Sequence, residues 1–175
     1  MSNVDPDTNQ LHSHVGKVIR QFALLENSLW TLVQSLLGVD QIRARIIVAS
    51  FPNTRARTTL IQRLGETYID ASLLPKFRGL MKRVGKLSGR RNILAHSLLG
   101  PNGPNKWMIV GDSFSDEMDG GWDFKPEQIS EKEILELATA CGTLHMDLVK
   151  FLFDLNGKVH TSTRMHREEQ KSQTP

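Results

Sequence analysis

The feature that most constrains this chain is a run of apolar residues at helical spacing. Val15, Val18, Ile19, Phe22, Leu25, Leu29, Val33, Leu36 and Leu37 recur mostly at intervals of three and four. They line one stripe of an α-helix and leave its other side polar. Such a stripe must be buried against another element, which commits the chain to layered helical packing. Gly38 ends the helix. Asp40 is placed to cap a second helix through QIRARIIVASF, closed by Pro52 and Asn53. A third is expected from about Thr54 to Ile69, with Leu60, Ile61, Leu64 and Tyr68 inward. The fourth follows DASLLP and is patterned by Phe77, Leu80, Met81, Val84, Leu87, Leu94 and Leu98, with Gly85 and Gly89 lowering its regularity.

GPNGPN breaks the helical pattern. Beyond it, KWMIV and GGWDF flank an acidic loop and read as a short β-hairpin. Ser130 and Glu133 form a capping box. From there Ile134, Leu137, Ala138, Cys141, Leu144, Leu148, Leu152 and Leu155 carry a stripe to a stop at Asn156 and Gly157. The expected fold is all-α: about a five-helix up-and-down bundle with a short β-hairpin inserted before the last helix. Residues 1–11 read as a flexible N-terminus, 12–157 as the bundle and 158–175 as a polar, disordered tail.

A chain of 175 residues is expected to form one domain. No apolar run approaches the roughly 18 residues that span a bilayer, and the first residues offer no apolar leader. The expected location is the cytoplasm, with no membrane partner. The single Cys141 excludes an intrachain disulfide or a cysteine-based metal site. The net charge of +3 hides an asymmetry. Residues 40–98 hold twelve Lys and Arg against three acids, a balance of +9, whereas residues 99–136 hold three Lys against nine acids, a balance of −6. Concentrated positive charge fits a polyanion such as RNA, DNA or a nucleotide, although most charge runs are solvated faces.

The stretch SGRRNILAHS, residues 88–97, sharpens the question. Arg91 falls on the apolar stripe of the fourth helix, and a guanidinium is costly to desolvate unless it meets a carboxylate or lines a cleft or interface. Glu26 interrupts the stripe of the first helix and is a candidate partner for Arg91, Arg90 or His96. Asn92 and His96, four apart, share a helix face, while Arg91 and His96 lie about 140° apart around the axis. An Arg five positions before a His is expected roughly 0.4 times by chance here, and roughly 0.02 times with Asn after the Arg. The bare spacing is therefore weak and the full pattern is informative.

RNILAH, Arg91 to His96, resembles the motif of the HEPN superfamily (higher eukaryotes and prokaryotes nucleotide-binding): Arg, a polar residue, a few more positions, then His on a late helix. The resemblance extends loosely over residues 12–157. It implies a helical bundle and a metal-independent endoribonuclease without cofactor, often a toxin or antiviral effector, acting as a homodimer that brings two motifs to one cleft. It implies Arg91, Asn92 and His96 as catalytic residues and RNA as substrate, with an antitoxin or regulatory protein as a further partner. The inserted hairpin departs from the minimal bundle.

The side chains suit that chemistry. Imidazole exchanges protons near neutral pH, as His96 would have to do. Arg91 can hold two phosphate oxygens at once, and Asn92 can orient His96 or contact the ribose. Arg83, Lys86 and Arg90 are spaced to flank a groove and track an RNA backbone. The alternative is a non-catalytic HEPN-like module that binds a nucleotide or a protein, since cations near a helix C-terminus are favoured by its dipole alone. A DNA-binding regulator would need a recognition helix, for which only the basic third helix offers itself.

Other features read more plainly. His12, His14, His160 and His166 are expected to be solvated and His145 packed or half-exposed. Asp116, Glu117, Asp119 and Asp123 lack the spacing of a calcium loop. Trp107 and Trp122 are expected to pack rather than stack a base. GKLSGRRN lacks the spacing and the preceding strand of a phosphate-binding loop.

Overall fold

Helix ends are fixed by local chemistry, and the chain supplies it at almost every junction. A computed structural model describes residues 6–103, 106–110 and 127–172, with the backbone alone at 6–8, 98, 101, 110 and 157–172. In chain order the elements are α1 (Pro6–Leu37), α2 (Gln41–Ala49), α3 (Thr54–Tyr68), α4 (Leu74–His96), β1 (Leu98–Pro101), β2 (Lys106–Val110), β3 (Glu127–Ser130) and α5 (Glu131–Ser172). The fold is mostly helical, with a small antiparallel sheet before the last helix, as the sequence predicts.

The Asp40 carboxylate accepts the Arg43 amide at 2.9 Å and Asn53 accepts that of Ala56 at 2.8 Å, capping α2 and α3. Gly38, at φ 62°, turns the chain out of α1, a conformation that costs other residues a Cβ clash. At α5 the Ser130 amide and hydroxyl both reach Glu133 Oε2 at 2.7 Å, and the Ser130 hydroxyl accepts the Glu133 amide at 3.3 Å. This is the predicted capping box. These bonds hold the Glu133 carboxyl below its ordinary pKa.

The chain divides into two compact units. One comprises Met1–Leu24 and Lys86–Thr143, the other Leu25–Gly85 and Leu144–Pro175. The boundaries fall inside α1, α4 and α5. In the first unit the sheet has the order β1-β2-β3. Leu99 pairs with Ile109, and Trp107 pairs with Ile129. Residues two apart on a strand share a face, so Trp107 and Ile109 point the same way. That face joins a buried cluster with Leu11 and Val18 of α1, Leu94 of α4, and Ile134 and Ala138 of α5. Pro101 lies on β1, an edge strand, where its missing N–H is tolerated. Gly103, at φ 95°, makes the turn between β1 and β2.

In the second unit Leu25, Leu32 and Val33 of α1, Ile61 of α3, Val84 of α4, and Leu144, Leu148 and Phe151 of α5 are almost wholly buried. The Phe77 and Phe151 rings stack with centroids 6.1 Å apart. Gly65 is buried, and a Cβ added there would collide with the Phe77 ring. The glycine thus permits the close approach of α3 to that aromatic side chain.

Several expectations are corrected. α1 starts at Pro6, not near residue 12, because proline suits the first helical position and Leu11 continues the stripe into the first unit's core. Leu98 is not on the fourth helix: α4 ends at His96, and Leu98 opens β1. The hairpin pairs β1 with β2 across Gly103, and β3 (EQIS) adds a third strand, whereas GGWDF lies outside the described residues. Tyr68 is 55% exposed rather than inward. α5 continues through Asn156 and Gly157 to Ser172, and its last stretch, RMHREEQK, is made largely of good helix formers. Among the described residues no single helix is long and apolar enough to cross a membrane.

Candidate functional site

Arg91, Asn92 and His96 occupy the last turns of α4, within the first unit. Leu94 between them is 3% exposed and packs in the core cluster, which anchors this stretch. Arg91 is half-buried, as its stripe position requires. Its guanidinium lies over the Phe22 ring, 5.4 Å from the centroid, and Nη1 donates to Asn92 Oδ1 at 3.0 Å. Its Nε is buried and without a partner. No carboxylate meets Arg91 among the described residues. An aromatic face and a neutral amide orient the cation without neutralising it.

The structure brings Arg91 and Asn92 together. It leaves His96 apart, as the exposed final residue of α4, with no hydrogen bond to either among the described residues. Asn92 Oδ1 accepts from Arg91, and no hydrogen bond joins Asn92 to the imidazole among the described residues. Glu26 is half-buried in the second unit and shows no ion pair among the described residues.

Two of the three expected RNA-binding cations already hold carboxylates. Arg90 Nη1 lies 2.6 Å from Glu127 Oε1, tying the motif end of α4 to β3. Arg83 Nη1, in the second unit, lies 2.6 Å from Asp147 Oδ2. Both pairs are solvent-exposed and worth no more than about 1 kcal/mol, so a phosphate can displace either carboxylate. Lys86 is exposed, with no such partner among the described residues.

The other histidines divide. His14 is not solvated: it is 7% exposed, its Nε2 lies 3.5 Å from Glu131 Oε1, and its Nδ1 is buried without a partner. Gln10 Nε2 donates to the same Glu131 oxygen at 3.0 Å. The signal for His14 was available, since positions 11, 14, 15 and 18 keep helical spacing once the helix starts early. His145 is half-buried, its Nδ1 2.7 Å from Ser28 Oγ, in the second unit. Trp107, 2% exposed, packs and cannot stack a base. Trp122 and the acidic residues 116–123 lie outside the described residues. Among the described residues no three His, Cys, Asp or Glu side chains gather to hold a metal ion.

No protein-family model, no curated protein and no solved structure matches this chain.

Proposed function

We propose that this chain is a metal-independent endoribonuclease of the HEPN type, acting on RNA as a homodimer whose two Arg91–His96 motifs face a common cleft. The observation that carries this reading is the environment of Arg91. A half-buried guanidinium is costly to desolvate, and one held by a carboxylate has its charge already matched. Arg91 instead rests on Phe22 and Asn92 and meets no carboxylate among the described residues, which leaves it open to an incoming anion.

In the proposed reaction one His96 takes the 2′-OH proton, the 2′-oxygen attacks phosphorus, and the bond to the 5′-oxygen breaks. The partner copy supplies the proton for that leaving oxygen. Arg91 steadies the charge on the non-bridging oxygens. The products are a 2′,3′-cyclic phosphate and a 5′-hydroxyl. Such an enzyme acts in the cytoplasm as a toxin or antiviral effector, restrained by an antitoxin or regulatory protein.

The test is cleavage in EDTA. Wild-type protein is expected to cut RNA to fragments ending in 2′,3′-cyclic phosphate, and His96→Ala to lower the rate by about 10²–10⁴-fold. One observation favours a second reading, a non-catalytic module binding a nucleotide or a protein: His96 has no partner to orient it among the described residues. If wild type and variant are equally inert while a nucleotide raises Tm, the module reading stands instead.

A further inference from the structure

The second unit carries a groove of about 810 Å³ lined by Thr59, Arg63, Phe77, Arg78, Met81 and Lys82 of α3 and α4, among others. A second depression of about 470 Å³ holds Phe51, Arg55 and Leu60. Thr59 and Arg63 line both, so the two form one continuous track along α3. We infer that this track binds single-stranded RNA, with phosphates on Arg55, Arg63 and Lys82, bases against the half-buried Phe51 and Leu60, and ribose hydroxyls on Thr59 and Thr67. The inference deepens the nuclease reading by giving its substrate a second contact, and rests on that reading for RNA as the polymer met.

Charge is the first argument. Elsewhere in the same unit Lys76 lies 2.7 Å from Asp154, and Arg83 2.6 Å from Asp147. In the groove Glu66 holds only Arg78, through bonds of 2.7 and 2.5 Å. Arg55, Arg63 and Lys82 are exposed and meet no carboxylate among the described residues. Three open cations on one track are a footprint for a phosphate backbone.

The lining decides which polyanion. An acidic peptide needs only the cations, and a duplex turns its base faces inward. A single strand can also rest a base against half-buried apolar side chains, here Phe51 and Leu60 of the second depression, since Phe77 and Met81 are only 1% exposed. The hydroxyls then favour RNA over DNA. Thr59 Oγ1 donates to the Arg55 carbonyl and Thr67 Oγ1 to the Arg63 carbonyl, each at 2.9 Å. With its proton committed, each hydroxyl offers lone pairs, which repel a phosphate oxygen and accept a ribose 2′-OH.

Fluorescence anisotropy with labelled U12 RNA tests the inference, using full-length His96→Ala protein so that the probe stays whole. Adding Arg55→Gln, Arg63→Gln and Lys82→Gln is expected to weaken binding at least about tenfold at low salt. It should also shrink the slope of log K against log salt by about 2, at about 0.7 per phosphate contact. Arg63→Glu alone, placed where both depressions meet, gives the same readout should the triple variant be less stable. A dT12 probe is expected to bind more weakly than U12, with the gap closing in Thr59→Val/Thr67→Val. Unchanged affinity and slope in the cation variants, or equal binding of a polyglutamate peptide, overturns the inference. Protein that binds U12 through these cations but never cuts RNA contradicts the nuclease reading alone. Protein that cuts RNA while the cation variants bind normally contradicts the groove alone.

Discussion

Arg91 is where a structural and a functional account of the α4 terminus predict opposite things. If the residue stabilised the fold, replacing it would cost stability. Its Nε is buried and unpartnered, and its charge is half-desolvated with no carboxylate beside it among the described residues. Arg91→Met, which keeps an unbranched apolar stem beside Phe22, is therefore expected to leave Tm unchanged or raised while lowering RNA cleavage by about 10²-fold or more. A calorimetric scan beside the cleavage assay checks both halves. Cys141 gives a second residue-scale prediction. Burial pushes its thiol from an ordinary 9.0 up to about 11, so it is neutral in the fold. The folded state therefore binds this proton more tightly than the unfolded chain. Stability contributed by the neutral thiol is present below pH 9 and is lost progressively between about pH 9 and 11. Native protein at pH 8 is expected to resist an aromatic disulfide reagent that reacts fully in denaturant. At this scale the sequence revealed Arg91 as a charge on an apolar stripe but not its partners. Phe22 lies 69 positions from Arg91, and Glu127 lies 37 from the neighbouring Arg90 that it holds; periodicity within one helix carries no information about which side chain of another element packs against it.

Elements were legible wherever chemistry between near neighbours sets their ends. Asp40 and the Ser130–Glu133 box cap the helices that their spacing predicts, and Asn53, read in the sequence only as the close of the second helix, caps the third. Ser130→Ala is expected to cost about 1 kcal/mol in urea denaturation at neutral pH. Because the box lowers the Glu133 pKa, its contribution is present above the ordinary carboxylate range and lost as pH falls through the folded value. The gap between wild type and variant should narrow in acid. Glycines separate into two kinds. Gly79 in α4 has open space where a Cβ would go, so Gly79→Ala is expected to stabilise by about 0.5–1 kcal/mol. Gly65→Ala meets the Phe77 ring and is expected to destabilise by about 1–3 kcal/mol despite better helix propensity. The sheet was read only in part. β2 has the apolar, β-branched composition of a strand, whereas β1 (LLGP) and β3 (EQIS) become strands by pairing with it across the register Leu99–Ile109 and Trp107–Ile129. Pairing partners far apart in sequence leave little local trace.

At the scale of the molecule, the mostly helical architecture follows from the stripes, because each long helix has one apolar side to bury. The split into two units was not legible, since its boundaries fall within α1, α4 and α5, where the stripes run on without a break in composition. The charge asymmetry was plain, yet it did not show which cations are already matched. Arg83 and Arg90 hold carboxylates, whereas Arg55, Arg63 and Lys82 meet none among the described residues. Proposed RNA binding should therefore weaken steeply with salt. The most direct test of the composite dimeric site is to co-refold wild-type and His96→Ala chains in equal amounts and measure RNA cleavage in EDTA per total chain. If every active site needs both copies of His96, only about one dimer in four is active, and the rate falls to about a quarter of the wild-type rate. A rate of one half would mean that each chain cuts alone, and wild-type protein that leaves RNA intact would contradict the nuclease account altogether.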